Sequence, residues 1–207
     1  MKEIDPQETS RAQAFELWKD APMPMVTLFK TLDITRLVKM SKRTDYKFNM
    51  LMCWCIVKAA SRQQEFYLLS GKDKLLQYEK LAINVVVKTK NGGICNSDIP
   101  YSEDIEDFNK DYIRIVNTTY ETCQMYSAGE DFNIIGTSSL SRFDIDGVTN
   151  MFSGRYTNPF LIWGKYRKKW FKKTLRVSLQ FHHVQMDGEQ ACIFLDDLQE
   201  TIYGLNW

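Results

Sequence analysis

Histidine is nearly absent from this chain: its 207 residues include two. Both stand in the stretch LQFHHVQMDGEQ, residues 179–190, so any chemistry that needs an imidazole is confined to one place. No apolar run approaches the roughly 20 residues of a membrane-crossing helix, and the opening MKEIDPQETS lacks the apolar segment of a secretory leader. An excess of one charge is missing too. Lys and Arg number 27 against 26 Asp and Glu, a net charge of +1, so nothing global points to nucleic acid or a membrane as partner. The five cysteines are odd in number and have no metal-type spacing. Cys53, Cys55, Cys123 and Cys192 fall in apolar helical patterns, so buried free thiols in a reducing cytoplasm are expected. Repeats, low-complexity segments and linkers are absent, which leaves one domain over 1–207.

What is present is an ordinary globular composition, 44% hydrophobic and 26% charged, with a high aromatic share of 13%. Thr9 and Ser10 can cap a short helix carrying Phe15 and Trp18, which the prolines at 22 and 24 end. The run 25–34 reads as a strand, and Asp33 can cap a helix through Met40. A second helix is expected over 48–61, with Leu51, Met52, Cys55, Ile56 and Ala59 as an apolar stripe. Residues 66–78 read as a hairpin turning at Gly71, and residues 81–99 as another turning at Asn91-Gly92-Gly93. Ser102 opens a long helix whose apolar positions run from Ile105 to Tyr126. Strands are expected over 132–145, 158–166 and 174–183, and a last helix follows Gly188. This order predicts a two-layer α/β sandwich, a mixed sheet with helices mainly on one side.

Strand alternation separates the two histidines. Leu175, Val177, Leu179, Phe181 and His183 fall on one face, with Arg176, Ser178, Gln180 and His182 on the other. A metal ion held between the pair is therefore disfavoured, and no metal site is expected. A partly desolvated His183 would be neutral and able to accept a proton near pH 7. Taken alone, it reads more readily as a core histidine bonded to a backbone carbonyl than as a catalytic one. Asp187, followed by Gly188, Glu189 and Gln190, reads as a helix N-cap with a capping-box partner.

The motif HHVQMDG resembles the HHxxxDG signature of the chloramphenicol acetyltransferase family, coenzyme A-dependent acyltransferases. The segment SRAQAFELW resembles that family's R-x-x-x-F segment, FDI at 143–145 its SFxL-type strand exit, and PFLIWGKY at 159–166 its PxFTMGKY strand. The resemblance spans nearly the whole chain. It implies an O-acetyltransferase that moves acetyl from acetyl-CoA, the co-substrate, to a hydroxyl of chloramphenicol or a similar small molecule. His183 would be the general base of a direct transfer in a ternary complex. Ser139 would donate to the oxyanion, with Ser138 and Ser141 as rivals in register, because Gly136-Thr137 stands where the family has Pro-Trp. Asp187 and Arg11 would form an ion pair that holds the histidine loop.

Phe15, Leu17 and Trp18 would line the acceptor site, together with Ile162, which replaces a family threonine. Lys165 and Tyr166 would approach coenzyme A. The basic run at 167–173 reads first as a charged, solvated hairpin turn that can also attract the coenzyme's phosphates. The resemblance further implies a homotrimer with active sites between subunits. The same fold acting on another hydroxylated acceptor, or kept as a catalytically silent binding protein, are the alternatives. Retention of His183, Asp187, Gly188 and Arg11 together argues against the silent one.

Overall fold

The structure, a computed structural model, describes residues 1–206. The chain begins with a short strand β1 (Lys2–Ile4), a 3-10 turn and helix α1 (Ala12–Trp18), followed by strand β2 (Met25–Asp33). Helices α2 (Thr35–Arg43) and α3 (Phe48–Ala60) come next, and then the small strands β3 (Leu68–Ser70) and β4 (Leu75–Gln77). Strands β5 (Lys80–Lys88) and β6 (Ile94–Pro100) lead to helix α4 (Ile105–Thr122) and strand β7 (Phe132–Ser139). Strands β8 (Phe160–Trp163), β9 (Arg167–Lys169) and β10 (Lys172–His182) precede helix α5 (Gly188–Tyr203).

The main sheet runs β2-β10-β8-β7-β5-β6, with β9 also paired to β10. It is mixed: β7 lies parallel to β5 and β8, and the remaining pairs are antiparallel. One face carries Leu32, Leu81, Ile83, Val85, Ile135, Leu161, Trp163, Leu175, Val177, Leu179 and Phe181, all in one core with side chains of α2 to α5. This is the expected α/β two-layer sandwich. Burial of that face is the main source of stability, about 25 cal/mol per Å² of apolar surface removed from water.

Helix α3 goes further than the expected stripe, since ten of its thirteen residues are buried. An apolar circumference suits a helix wedged between the sheet and its neighbours rather than one facing water. Its Cys53 and Cys55 are buried free thiols, and burial pushes both up, Cys53 to about 12, which makes them inert at neutral pH. Cys192 departs from expectation and is exposed, because it lies on the water side of α5.

Several boundaries also move. Helix α4 starts after Asp104, not Ser102, since the Asp104 carboxylate accepts from the N–H groups of Glu106 and Asp107 at 2.7 and 3.0 Å. It ends where Cys123 turns left-handed, φ 58°, so Tyr126 leaves the helix and bridges Ser97 instead. Strand β7 stops at Ser139, and residues 140–158 cross the outer face of the sheet without regular structure. At Gly136, a Cβ would meet the Phe160 ring at 2.2 Å. Thr137 is tied by its hydroxyl, which donates to Asn84 O at 2.7 Å.

A candidate acyl-transfer site at the end of β10

The register His182↔Met25 is the last of β10, so the strand stops between the two histidines. Alternation therefore does not extend to His183, which corrects the expectation that it continues the Phe181 face. His182 is the deeply buried member, 2% exposed. Its Nδ1 accepts the N–H of Val184 at 3.2 Å, which makes it the neutral tautomer protonated on Nε2. Burial, and then repulsion from His183, push its pKa down to about 4. The edge of Phe152 meets its ring at 5.9 Å. His182 thus acts as a neutral internal prop for the turn that follows.

That turn, 183–187, is fastened from three directions. The N–H of His183 donates to Pro24 O at 2.8 Å, beside the start of β2. Gln185 is fully buried, and its side-chain amide donates to the carbonyls of Glu65 and Leu68 at 3.0 and 2.8 Å. Arg11, only 5% exposed, reaches in from the start of α1. Its Nε donates to Val184 O at 2.9 Å and one terminal nitrogen to His183 O at 2.8 Å. The fork also holds both carboxylate oxygens of Asp187, at 2.7 and 2.9 Å. The sequence motif anticipated the ion pair. The two carbonyl contacts carried no signal in it, yet they let a single guanidinium grip the consecutive carbonyls on either side of the Val184 Cα.

Asp187 also starts α5, where its own N–H donates to Gln190 Oε1 at 2.7 Å. Bonds from Arg11 hold the Asp187 carboxyl below its usual range, against a smaller opposing effect of burial. Cap and brace are one residue.

The His183 ring is stacked on Trp18, with centroids 4.5 Å apart and planes 6° from parallel. Its Nδ1 lies 3.2 Å from Asp187 Oδ1 but has no properly directed hydrogen bond and is buried. The nitrogen with access to solvent is Nε2. A half-buried imidazole, held by a stack on one side and backbone bonds on the other, is arranged as a proton acceptor with little freedom to reorient. Leu17, 66% exposed, flanks Trp18 on the open side, whereas Phe15 is 2% exposed and packs with Leu75 and Val184. Phe15 therefore supports the histidine turn from beneath and does not line open space.

The other expected site residues lie elsewhere. Ser139 pairs with Trp163, which pairs with Val177, six residues before His183 on β10. At about 3.3 Å per residue, Ser139 and His183 of one chain stand roughly 20 Å apart along the strands. Ser139 is exposed because β7 ends there, on the face shared with Trp163. Ser138 sits opposite Ile162, itself opposite Ser178, on the outer face. The GKY turn interrupts the edge between β8 and β9, with Gly164 pressed so closely on Phe143 and Ile145 that a Cβ would clash at 2.5 Å. Tyr166 packs on Phe48 at 5.8 Å. Lys165 instead faces a cavity of about 120 Å³ shared with Thr31, Ile145, Arg167, Thr174 and Arg176. One feature of this end that sequence patterns did not reveal is Trp163, 1% exposed with its indole N–H unpartnered. Among the described residues, no three His, Cys, Asp or Glu side chains come together as a metal site.

Comparison with known proteins agrees with this fold. The sequence profile of the chloramphenicol acetyltransferase family matches residues 1–199. Chloramphenicol acetyltransferase 3 of Escherichia coli is 24% identical over 195 residues, covering 92% of this chain and 91% of that protein. Chloramphenicol acetyltransferase 2 of the same species is 25% identical over 200 residues, covering 95% and 94%. Among solved structures, a chloramphenicol acetyltransferase superposes with a TM-score of 0.81 at 17% identity, covering 97% of this chain and all of that one.

Proposed function

We propose that this chain, which belongs to the chloramphenicol acetyltransferase family and is an acyltransferase, transfers acetyl from acetyl-CoA to the hydroxyl of chloramphenicol or a similar small molecule. The observation that carries the reading is the fastened turn, which holds the stacked His183 ring with Nε2 free. His183 Nε2 takes the proton of the acceptor hydroxyl as that oxygen attacks the thioester carbonyl. A tetrahedral oxyanion forms and accepts a hydrogen bond from a serine hydroxyl, which we assign to Ser139. Collapse breaks the carbon–sulfur bond, and the departing thiolate takes the proton from the His183 imidazolium. Acetyl passes directly, with no acyl-enzyme.

The Trp18 face steadies the imidazolium while it exists, and Arg11 with Asp187 keeps the ring in place. The separation of Ser139 from His183 within one chain supports a site completed by a second copy. We therefore place His183 of one subunit against Ser139 of the partner subunit, in a homotrimer with three equivalent clefts. Leu17 and Trp18 face the acceptor, Lys165 and Tyr166 lie toward coenzyme A, and no metal takes part. Ile162, where the family has threonine, favours an acceptor less polar at that point than the family's usual one. The whole chain then works as one catalytic domain, in a cytoplasm whose reducing conditions suit five free thiols.

Thiol release from acetyl-CoA in the presence of chloramphenicol tests the assignment. His183→Ala should lower turnover by about 10²–10⁴-fold with the melting temperature unchanged. Ser139→Ala should lower it about 10²-fold, and Ser138→Ala should not. Mixing unfolded His183→Ala and Ser139→Ala chains and refolding them together should restore activity in hybrid trimers. Full turnover by His183→Ala would remove the base assignment, and no restoration on mixing would place both residues on one subunit's site. Release with a different alcohol alone would redirect the acceptor and leave the mechanism standing.

A further inference from the structure

We propose that the tip of the β9–β10 hairpin is a docking element for anionic phospholipid surfaces. The two loop residues are Trp170 and Phe171, 84% and 92% exposed. Water-facing hairpin tips favour Gly, Asn or Asp. Here Trp170 sits in the left-handed region, φ 53°, a conformation that a bulky residue enters at a cost. The fold gets no packing in return, since both rings stand clear of the protein. A strained backbone that presents two large aromatic side chains to solvent calls for a partner that takes them up.

The surroundings state the charge of that partner. Arg167, Lys168 and Lys169 lead into the tip, and Lys172 and Lys173 lead out of it. Arg167 is committed to Asp144 and Asp146, and Lys172 reaches Asp33 at 3.7 Å. Lys168 and Lys169 are exposed and form no ion pair among the described residues. The net charge of +1 averages this patch away.

Shape decides among anionic partners. The two tip rings stand out into solvent and do not enclose a small molecule; a cationic cavity, lined by Lys165, Arg167 and Arg176, lies at the hairpin's base. Convex aromatics flanked by long cationic side chains match a bilayer interface, where rings settle at headgroup depth and lysines reach the phosphates. The base is stiff enough to act as a stalk, because Lys173 O accepts from Ile34 N–H and Lys173 N–H donates to Thr35 Oγ1, at 2.8 and 2.9 Å. Three-fold symmetry, where subunits associate as proposed above, would hold three tips at one height along the axis, so that they engage a surface together. The hairpin itself is a property of one chain and does not depend on the catalytic reading.

The test is co-sedimentation of the purified full-length protein with vesicles of phosphatidylglycerol and phosphatidylcholine, against vesicles of phosphatidylcholine alone. Binding to the anionic vesicles should be at least tenfold stronger and should fall steeply with added salt. The double variant Trp170→Gly/Phe171→Ser, which removes the left-handed strain and so keeps the fold, should lose about tenfold or more. Lys168→Gln and Lys169→Gln should each lose about fivefold. Equal binding to both vesicle types, or wild-type binding by the double variant, overturns the proposal. A double variant that binds vesicles normally but has a raised KM for acetyl-CoA, or a changed oligomeric mass, assigns the tip to the coenzyme or to a subunit contact. His183→Ala should bind vesicles as wild type does, so failure of the catalytic reading leaves this result separate.

Discussion

The two ends of β10 differ in nearly every physical respect. At its C-terminal end, His182 is buried and neutral, and the turn behind it has the carbonyls of His183 and Val184 taken by Arg11. At its N-terminal end, Trp170 and Phe171 stand in water among lysines. The first end spends buried hydrogen bonds to remove motion from one imidazole. The second exposes what a fold would ordinarily hide. An end that holds one imidazole in a fixed pose, as the proposed base requires, is built dry and cross-linked. An end that meets a large, soft partner can stay wet, convex and charged.

The sharpest way to break this contrast is to unfasten the dry end. Arg11→Ala leaves two carbonyls and a carboxylate without their donor and should destabilise the fold by about 3 kcal/mol, measured by urea unfolding. Turnover should fall further than the stability loss explains, because the His183 turn is released. Asp187→Asn should cost less, because the carboxylate is 46% exposed and the amide oxygen can still accept from the guanidinium.

Acid comes second. The His182 pKa is depressed to about 4 when folded, from about 6.5 unfolded. Its stabilising contribution is therefore complete above pH 6.5 and declines as the pH falls toward 4, by up to about 3 kcal/mol. Asp187, also depressed, keeps its contribution above its unfolded value of about 3.9 and loses it only at lower pH. Thermal unfolding as a function of pH should show stability falling through the His182 window first. His182→Asn, whose side-chain oxygen can still accept from Val184 N–H, should flatten that part of the profile. An unchanged slope would mean that His182 is not the group responsible.

The smallest effect belongs to the wet end. Trp170→Gly should leave the dry end untouched and raise stability by up to about 1 kcal/mol, since glycine tolerates φ 53° freely. A loss of stability on this change would show that the Trp170 ring packs after all, and the contrast between the two ends would weaken.

Much of the site was legible without coordinates because its signals are local. HHVQMDG names the histidine, the cap and the helix start, and Arg11 before Phe15 names the brace. The long apolar periodicities of α3, α4 and α5 show the helices, and the glycine-rich turn at 91–93 shows the β5–β6 hairpin. The failures share a cause as well. His183 was placed on the Phe181 face by alternation, but alternation holds only inside a ladder, and the ladder ends at His182↔Met25. The family resemblance implies that Phe15 lines the acceptor site, but the approach of Leu75 and Val184 puts it in a core. The α4 boundary moved because Asp104 makes two backbone bonds as N-cap.

By itself, then, the sequence confined any imidazole chemistry to one place, since its two histidines are adjacent, and it determined the helix-on-sheet architecture through periodicity. Tertiary structure alone decided which histidine is buried and which is presented. It set the grip of Arg11 on two backbone carbonyls 172 and 173 residues away, and it placed Ser139 roughly 20 Å from His183 along the strands. Residue type and spacing report what a segment does with its own backbone. Burial and long-range hydrogen bonds depend on which segments the fold brings together, and that is settled only when the sheet has closed its register and the helices have covered one face.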